Sequence, residues 1–193
     1  NLSRGKLSLK SEWIAGNPQT RKSQVRERWI REGNEVKKPS HWEQREGDLF
    51  EQSCQRCSIG SSCVAIRRDL WVKTGGFDAR YRVCEDYQLW LRIAKSEPVG
   101  LVPGLPQVDK HGGHADQLSS LVPAMDRFRV LALLELMAES GLSLEQRATA
   151  CSVVKEKARI LADGAAKRGM IHRAELYATI DTLDLGGAAS SLR

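Results

Sequence analysis

The feature that most constrains the fold is the run over residues 61–92, where three distinct elements follow one another closely. The compact apolar segment 62–66, Ser-Cys-Val-Ala-Ile, predicts a buried strand. Gly75-Gly76 predicts a tight turn, because glycine reaches backbone conformations that are closed to residues with a Cβ. Glu85-Asp86 opens an amphipathic segment, and the helix dipole favours acidic side chains in a first turn. We therefore expect a strand, a turn and a helix in this order.

The sequence before and after this run predicts a mixed α/β region that extends to about residue 118. Its expected elements are a helix over 5–16, a strand over 24–31, a turn at Gly33-Asn34, a short helix over 49–56, and short strands over 99–102 and 105–108. Within the strand over 24–31, alternation places Val25, Glu27, Trp29 and Arg31 on one face.

After residue 120 the pattern becomes helical. Apolar residues recur at three to four positions over 125–139, and again for six turns from Leu144. Ser143, with Glu145 and Gln146 in the first turn, is a typical helix N-cap. A third helix is expected over 174–183. We therefore divide the chain into a mixed region (1–118) and a helical tail (119–193), and we expect the tail to pack on the body.

Charge and cysteine content limit the classes of partner and compartment. The net charge is +6, and residues 1–47 hold 11 Lys and Arg against 6 Asp and Glu. This basic segment is compatible with a solvated surface, or with binding of anionic lipid or a diphosphate. It carries no nucleic-acid-binding motif, so we expect no nucleic-acid partner. Five cysteines leave one over if the others pair, and no stretch approaches 18 apolar residues. We expect a cytoplasmic protein, with contact at the inner face of the membrane as an option.

The whole run over 61–92 resembles the family 2 glycosyltransferases of the GT-A fold. In that family a strand with Ser and small apolar residues leads through an Arg-Arg turn to Gly-Gly-Phe-Asp. A Glu-Asp pair then opens a helix with the pattern Tyr/Asp-x-Leu-Trp-x-Arg, matched here by 87–92. The resemblance extends loosely over 5–119. It implies a partial GT-A-like mixed sheet with flanking helices, followed by the helical tail.

The resemblance also implies a reaction and roles for single residues. Asp86 is expected to be the general base that takes the proton from an acceptor hydroxyl, which then attacks the anomeric carbon with inversion. Glu85 is expected to support or orient Asp86. Substrate contact is expected at Ser62, Gly75 and Gly76, while Asp78 either contacts substrate or caps the glycine turn.

Other residues are candidates for sugar or phosphate contact. Trp42 lies in a polar loop and is the better candidate for acceptor contact, whereas Trp90 has helical spacing with Ile93 and is expected in the core. Related enzymes often place a histidine near the donor phosphates or metal. His111 and His114 are therefore candidates for that role, with His114 slightly favoured.

The resemblance implies a Mg²⁺ or Mn²⁺ ion held by an Asp-x-Asp motif, and this sequence contains no such motif. In the family the motif precedes a segment like 4–7, so it is expected upstream of Asn1 together with the nucleotide-binding strands. We therefore expect a fragment that requires this donor half for activity on a nucleotide-sugar donor and a glycan or glycolipid acceptor.

Three alternatives stay open at this point. The chain could be a truncated, non-catalytic relative whose helical tail binds protein. It could also bind nucleic acid through residues 1–47, in a salt-dependent manner. Finally, Cys54, Cys57 and Cys63 are either free thiols or part of a zinc site, although the second ligand pair of a structural zinc site is absent.

Overall fold

The computed structural model describes residues 4–111 and 122–185, which form seven α-helices and two three-stranded sheets. The predicted mixed α/β class is confirmed. The helices are α1 (Arg4–Gly16), α2 (Phe50–Gln55), α3 (Arg68–Thr74), α4 (Glu85–Ala94), α5 (Asp126–Ala138), α6 (Leu144–Lys167) and α7 (Ile171–Thr182). The strands are β1 (Lys22–Gln24), β2 (Glu27–Arg31), β3 (Asn34–Val36), β4 (Val64–Ile66), β5 (Gly100–Leu101) and β6 (Val108–His111).

Both sheets are mixed, and each has a central strand from the same stretch of chain. In the first sheet β1 lies between antiparallel β4 and parallel β5. In the second sheet β2 lies between antiparallel β3 and parallel β6. The central strands of the two sheets, β1 and β2, are therefore consecutive along the chain.

The prediction of one strand over 24–31 is wrong, because the path divides at Val25 and Arg26. The Val25 N–H donates to the Cys63 carbonyl, and the Arg26 carbonyl accepts from the Gln107 N–H. These bonds join the chain to connecting segments, so it changes sheets between Gln24 and Glu27. The predicted alternation survives in part: Val25 and Glu27 are buried, whereas Arg26 is exposed.

Two boundaries also differ from the sequence prediction. The β2–β3 turn is formed by Glu32 and Gly33, at φ 49° and 81°, one residue earlier than expected. Two positive φ angles match the turn type that suits the twist of a two-residue hairpin. The predicted strand over 105–108 is wrong: β6 begins at Val108 because Pro106 has no N–H to donate to a sheet.

The helical tail packs against the mixed region, as predicted. One core cluster joins α2 and α4 to α5 and α6, and its members include Phe50, Tyr87, Leu91, Leu133 and Val154. Burial of these side chains provides the main stabilisation of the contact. A second cluster of Ile59, Leu70, Leu89, Trp90 and Ile93 fills the space between α3 and α4.

The helices of the tail begin close to the positions predicted from the sequence. The Ser143 side chain accepts from the Gln146 N–H at 3.0 Å, and the Gln146 side chain accepts from the Ser143 N–H at 3.1 Å. This reciprocal capping box confirms the predicted start of α6. The third helix starts at Ile171, three residues before the predicted position. Among the described helices, none combines the length and apolar character needed to cross a bilayer.

Candidate functional site

An unusual backbone conformation at Cys84 precedes the acidic first turn of α4. Cys84, directly before Glu85, has φ 62° and is buried. A left-handed conformation costs a residue with a Cβ about 1–2 kcal/mol, so surrounding contacts must hold it in place. The turn directs the chain into α4 and puts Asp86 in the first helical turn.

Two hydrogen-bonding residues fix α4 along its length. Tyr87 Oη donates to the Cys54 carbonyl at 2.5 Å, which joins the start of α4 to α2. Near its end, the Arg92 guanidinium donates to the Gly76 carbonyl at 2.6 Å and also to the Thr74 carbonyl. A helix tied at both ends holds the side chain of Asp86 in a defined position.

Asp86 lies in the wall of an open cleft of about 690 Å³. Five parts of the chain form this cleft: β2, the parallel strand β6, the segment after β3, the loop 57–62, and the start of α4. The lining residues are Glu27, Trp42, Gln44, Cys57, Ser58, Ile59, Gly60, Ser61, Ser62, Asp86, Val108, Asp109, Lys110 and His111.

The Asp86 carboxylate accepts hydrogen bonds but forms no salt bridge within the described part of the chain. Its Oδ2 accepts from Cys57 Sγ at 3.3 Å, and its Oδ1 accepts from the Tyr87 N–H at 2.7 Å. Burial, and then the nearby Asp86 charge, raise the pKa of the Cys57 thiol well above its ordinary value. Cys57 therefore stays protonated near neutral pH and remains a donor to Asp86.

Glu27 is a second carboxylate of the cleft, and only 8% of it is exposed. Its Oε1 accepts from Trp29 Nε1 at 2.9 Å, and its Oε2 accepts from Cys63 Sγ at 3.2 Å. Both donors are uncharged. Two thiols that flank the loop 57–62 thus contact the two carboxylates: Cys57 donates to Asp86, and Cys63 donates to Glu27.

An aromatic pair forms part of the cleft wall. The rings of Trp29 and Trp42 lie 6.0 Å apart at 54°. Arg56 lies over the Trp42 ring at 5.7 Å, and Lys110 lies over the Trp29 ring at 5.6 Å. Cation–π contacts of this kind add to the packing that holds the indoles.

A polar network keeps the segment after β3 against β2. The Lys38 ammonium donates to Gln44 Oε1 at 2.7 Å and to the Glu27 carbonyl at 3.2 Å. Gln44 Oε1 also accepts from the Glu27 N–H at 3.3 Å. Desolvation lowers the pKa of Lys38, with the Glu27 charge partly opposing this effect. The network holds the segment that carries Trp42 at the cleft wall.

One rim of the cleft carries charged and titratable side chains of β6, the strand paired with β2. Asp109 pairs with Arg28 of the adjacent strand and is neutralised by it. Lys110 and the exposed His111 follow at the end of β6. This rim therefore brings the positive charge of Lys110 to the cleft.

The structure brings together four of the residues that the sequence singled out. Asp86, Ser62, Trp42 and His111 all line the cleft. Glu85 is half-buried beside Asp86 but does not line it. His114 lies outside the described residues.

The glycine turn lies apart from the cleft lining. Gly75 ends α3 in a left-handed conformation, and Gly76 packs against the Trp71 ring. Asp78 accepts from the Arg80 N–H at 2.9 Å and pairs with its guanidinium at 2.7 Å. These contacts favour the capping role of Asp78, and substrate contact at the three positions stays a prediction.

The aromatic and cysteine predictions can also be compared with the structure. Trp90 is 2% exposed and belongs to the core, as expected. Cys54, Cys57 and Cys63 are thiols that are not joined in disulfides. Burial raises the pKa of Cys54 to about 12. Across 4–111 and 122–185, no three His, Cys, Asp or Glu side chains are grouped so that they could hold a metal ion.

Sequence reasoning missed two residues that shape the cleft. Glu27 gave a signal, since it shares the inward face of a strand with Val25, where a charged side chain is unusual. Cys57 gave none, because it contacts Asp86 across 29 positions of sequence. Only the packing of the loop 57–62 on α4 reveals this contact.

A scan against models of protein families finds no match to the chain, and neither the search of curated proteins nor that of solved structures finds one.

Proposed function

We propose that the chain is the acceptor-side part of an inverting glycosyltransferase similar to family 2. It transfers a sugar from a nucleotide-sugar donor to an acceptor hydroxyl, and Asp86 is the general base. The single observation that carries the proposal is the position of Asp86. This carboxylate, without a salt-bridge partner in the described chain, lines a cleft together with Trp42, Ser62 and His111.

The start of α4 gives this carboxylate suitable chemistry. The positive end of the helix dipole favours an acidic side chain such as Asp86 in the first turn. The Cys57 thiol donates a hydrogen bond to one oxygen of Asp86, and this donor is uncharged. A base must lie within hydrogen-bond reach of the proton that it removes, and the open cleft admits a hydroxyl to that position.

In the proposed step, Asp86 takes the proton of the acceptor hydroxyl while the hydroxyl oxygen forms a bond to the anomeric carbon. The bond from that carbon to the diphosphate oxygen breaks on the opposite face, and the nucleoside diphosphate leaves with the electron pair. The configuration inverts and the proton remains on Asp86. General base catalysis of this type contributes roughly 10²- to 10⁴-fold to a rate.

The donor side of the reaction is assigned to other parts of the enzyme. The resemblance implies an Asp-x-Asp segment upstream of Asn1 that holds Mg²⁺ or Mn²⁺ on the donor diphosphate. The described residues do not fit a metal ion by themselves, and no step above passes through one. His111 and Lys110, at the rim of the cleft, are proposed to contact the diphosphate.

The same proposal includes the class of acceptor and the cellular location of the reaction. A glycan or glycolipid acceptor is used in the cytoplasm, and the basic N-terminal segment suits contact with anionic lipid at the inner membrane face. This contact is electrostatic, so it weakens as ionic strength rises.

The test is a transfer assay on the chain extended upstream in its gene. UDP-, GDP- and dTDP-sugars are offered with Mn²⁺ or Mg²⁺ and a panel of glycosides, and the released nucleoside diphosphate is measured. Release that depends on acceptor supports the proposal. Absence of transfer with every donor and acceptor in the panel favours the non-catalytic alternative, in which the tail binds protein.

A further inference from the structure

The buried carboxylate of Glu27 has no role in the step proposed for Asp86. It lies at the cleft with 8% exposure, and its two oxygens receive one neutral donor each, from Trp29 and Cys63. A carboxylate offers about four lone-pair positions, so it can accept further hydrogen bonds. No salt bridge to Glu27 occurs in the described part of the chain.

Retaining such a group has a cost in free energy. A carboxylate taken out of water whose oxygens receive only neutral donors is not fully compensated by those bonds. The Lys38 ammonium, which interacts electrostatically with Glu27, offsets this cost in part. A ligand that donates hydrogen bonds to the carboxylate from the cleft would offset more of it.

The chain keeps space around this carboxylate. A Cβ placed on Gly60 would lie 3.2 Å from Glu27 Oε2, which is a tight contact, and 3.5 Å from Cys63 Sγ, which is an ordinary one. The backbone of the loop 57–62 therefore approaches Glu27 closely. Glycine at position 60 avoids a close Cβ contact with this oxygen.

Glu27 is also coupled to the aromatic wall. By accepting from Trp29 Nε1 it fixes the Trp29 indole, and Trp29 packs on Trp42, which lines the cleft. An apolar ring beside a carboxylate that can accept two hydrogen bonds suits a sugar ring. The C–H face of the sugar packs on the indole and two of its hydroxyls donate to the carboxylate.

We propose that Glu27 is an acceptor-binding residue that selects a neutral sugar with two adjacent hydroxyls, and that this sugar lies against Trp42. The inference rests on the proposed function, since it places the acceptor hydroxyl at Asp86. Glu27 and Asp86 form no salt bridge in the described chain, and in the proposed pose they lie nearer to the sugar than Lys110 and His111 do, so the carboxylate of an acidic sugar is repelled. A uronic acid is therefore excluded as the residue that receives the transferred sugar.

The test measures binding of simple glycosides to the full chain without any donor. Methyl glucoside, methyl galactoside, methyl mannoside and methyl glucuronide are used as probes in saturation-transfer NMR titrations. We expect at least one neutral glycoside to bind the wild type, and glucuronide to bind at least tenfold more weakly. Glu27→Gln should weaken the neutral glycoside at least tenfold, whereas Glu43→Gln, at an exposed position, should leave it within twofold.

Gly60→Ala supplies a second variant that keeps the carboxylate. It should also weaken binding at least fivefold, since its Cβ crowds Glu27 Oε2. Far-UV circular dichroism checks the fold of each variant. Unchanged binding in Glu27→Gln or Gly60→Ala, equal binding of glucuronide, or binding of none of the neutral glycosides overturns the inference.

The two proposals fail separately. Asp86→Asn should still bind the neutral glycoside, because the binding carboxylate is intact. If Glu27→Gln binds normally while Asp86→Asn has lost transfer, only the acceptor-site inference is wrong. If glycosides bind through Glu27 but Asp86→Asn transfers at the wild-type rate, the base assignment is wrong and the acceptor site stands.

Discussion

Cys57 Sγ lies 3.3 Å from Oδ2 of Asp86 and donates its hydrogen bond to that carboxylate. The contact joins the loop 57–62 to the first turn of α4. Burial and the charge of Asp86 both raise the pKa of the thiol. The thiol therefore reports on the charge of its partner.

Asp86→Asn should accelerate alkylation of Cys57 by iodoacetamide at pH 8. Removing the charge takes away part of what raises the pKa of the thiol, so the thiolate fraction increases. Each unit of pKa changes that fraction about tenfold, and lower nucleophilicity offsets part of the gain. We expect the rate to rise roughly three- to tenfold, measured by peptide mapping with mass spectrometry.

Glu85→Gln is the matched control for this measurement, because Glu85 is adjacent in sequence but is not among the main causes of the raised pKa of Cys57. Its alkylation rate should stay within twofold of the wild type. Equal acceleration in both variants would show that the thiol responds to general loosening of α4 and not to its contact with Asp86.

Lys22→Met should stabilise the protein near neutral pH. Lys22 is 1% exposed in the central strand of the first sheet, and burial lowers its pKa to about 8 from an ordinary value of 10.5, partly opposed by Glu97 and Asp48. Below pH 8 the folded state carries a buried charge. The substitution removes this cost, and we expect the free energy of unfolding to rise by about 1–3 kcal/mol at pH 7.

The pH dependence of this gain gives a sharper check. Between pH 8 and 10.5 the unfolded state binds more protons at Lys22 than the folded state, so wild-type stability from this residue rises with pH. The advantage of Lys22→Met should therefore shrink as pH rises through this window in urea denaturation. Lys37→Met, at an exposed site, should show no such trend; a gain that is constant from pH 7 to 10 contradicts the account.

Gly76→Ala should destabilise the protein more than Gly75→Ala. Both glycines have positive φ, 73° for Gly75 and 66° for Gly76, so alanine is strained at either. A Cβ at Gly75 meets nothing within 4 Å, whereas at Gly76 it would lie 2.6 Å from the Trp71 ring. We expect losses of about 1 kcal/mol at Gly75 and about 2–4 kcal/mol at Gly76.

The double variant with Trp71→Ala separates strain from crowding. In that background Gly76→Ala should cost only about 1–2 kcal/mol, since the ring is gone and the backbone strain remains. The measurement is equilibrium denaturation of all four variants. Equal costs with and without Trp71 would show that the ring moves aside freely.

The helices were predictable from sequence because their signals are local. Ser143 and Gln146 form the expected capping box, and the acidic pair Glu85-Asp86 does open a helix. The predicted alternation is correct for Val25 and Glu27, which are buried, and wrong for Arg31, which is exposed. What failed was the path at Val25 and Arg26, where one expected strand serves two sheets, because bonds to distant loops decide that division.

The candidate site was predictable only in part. Asp86, Trp42, Ser62 and His111 carry motif or loop signals, and the structure brings them to one cleft. The thiol contacts of that cleft depend on how the loop 57–62 packs between α4 and β2, a long-range arrangement that no spacing encodes. Glu27 became a candidate only when the structure located it at the cleft.

The most direct test of the central claim is the effect of Asp86→Asn on sugar transfer and on donor binding, in the chain extended upstream. Asp109→Asn is the control, because Asp109 lines the same cleft but is neutralised by Arg28. We predict that Asp86→Asn lowers the transfer rate roughly 10²- to 10⁴-fold with an unchanged donor Kd, while Asp109→Asn retains most activity. Transfer by Asp86→Asn within twofold of the wild-type rate would contradict the assignment of Asp86 as the base.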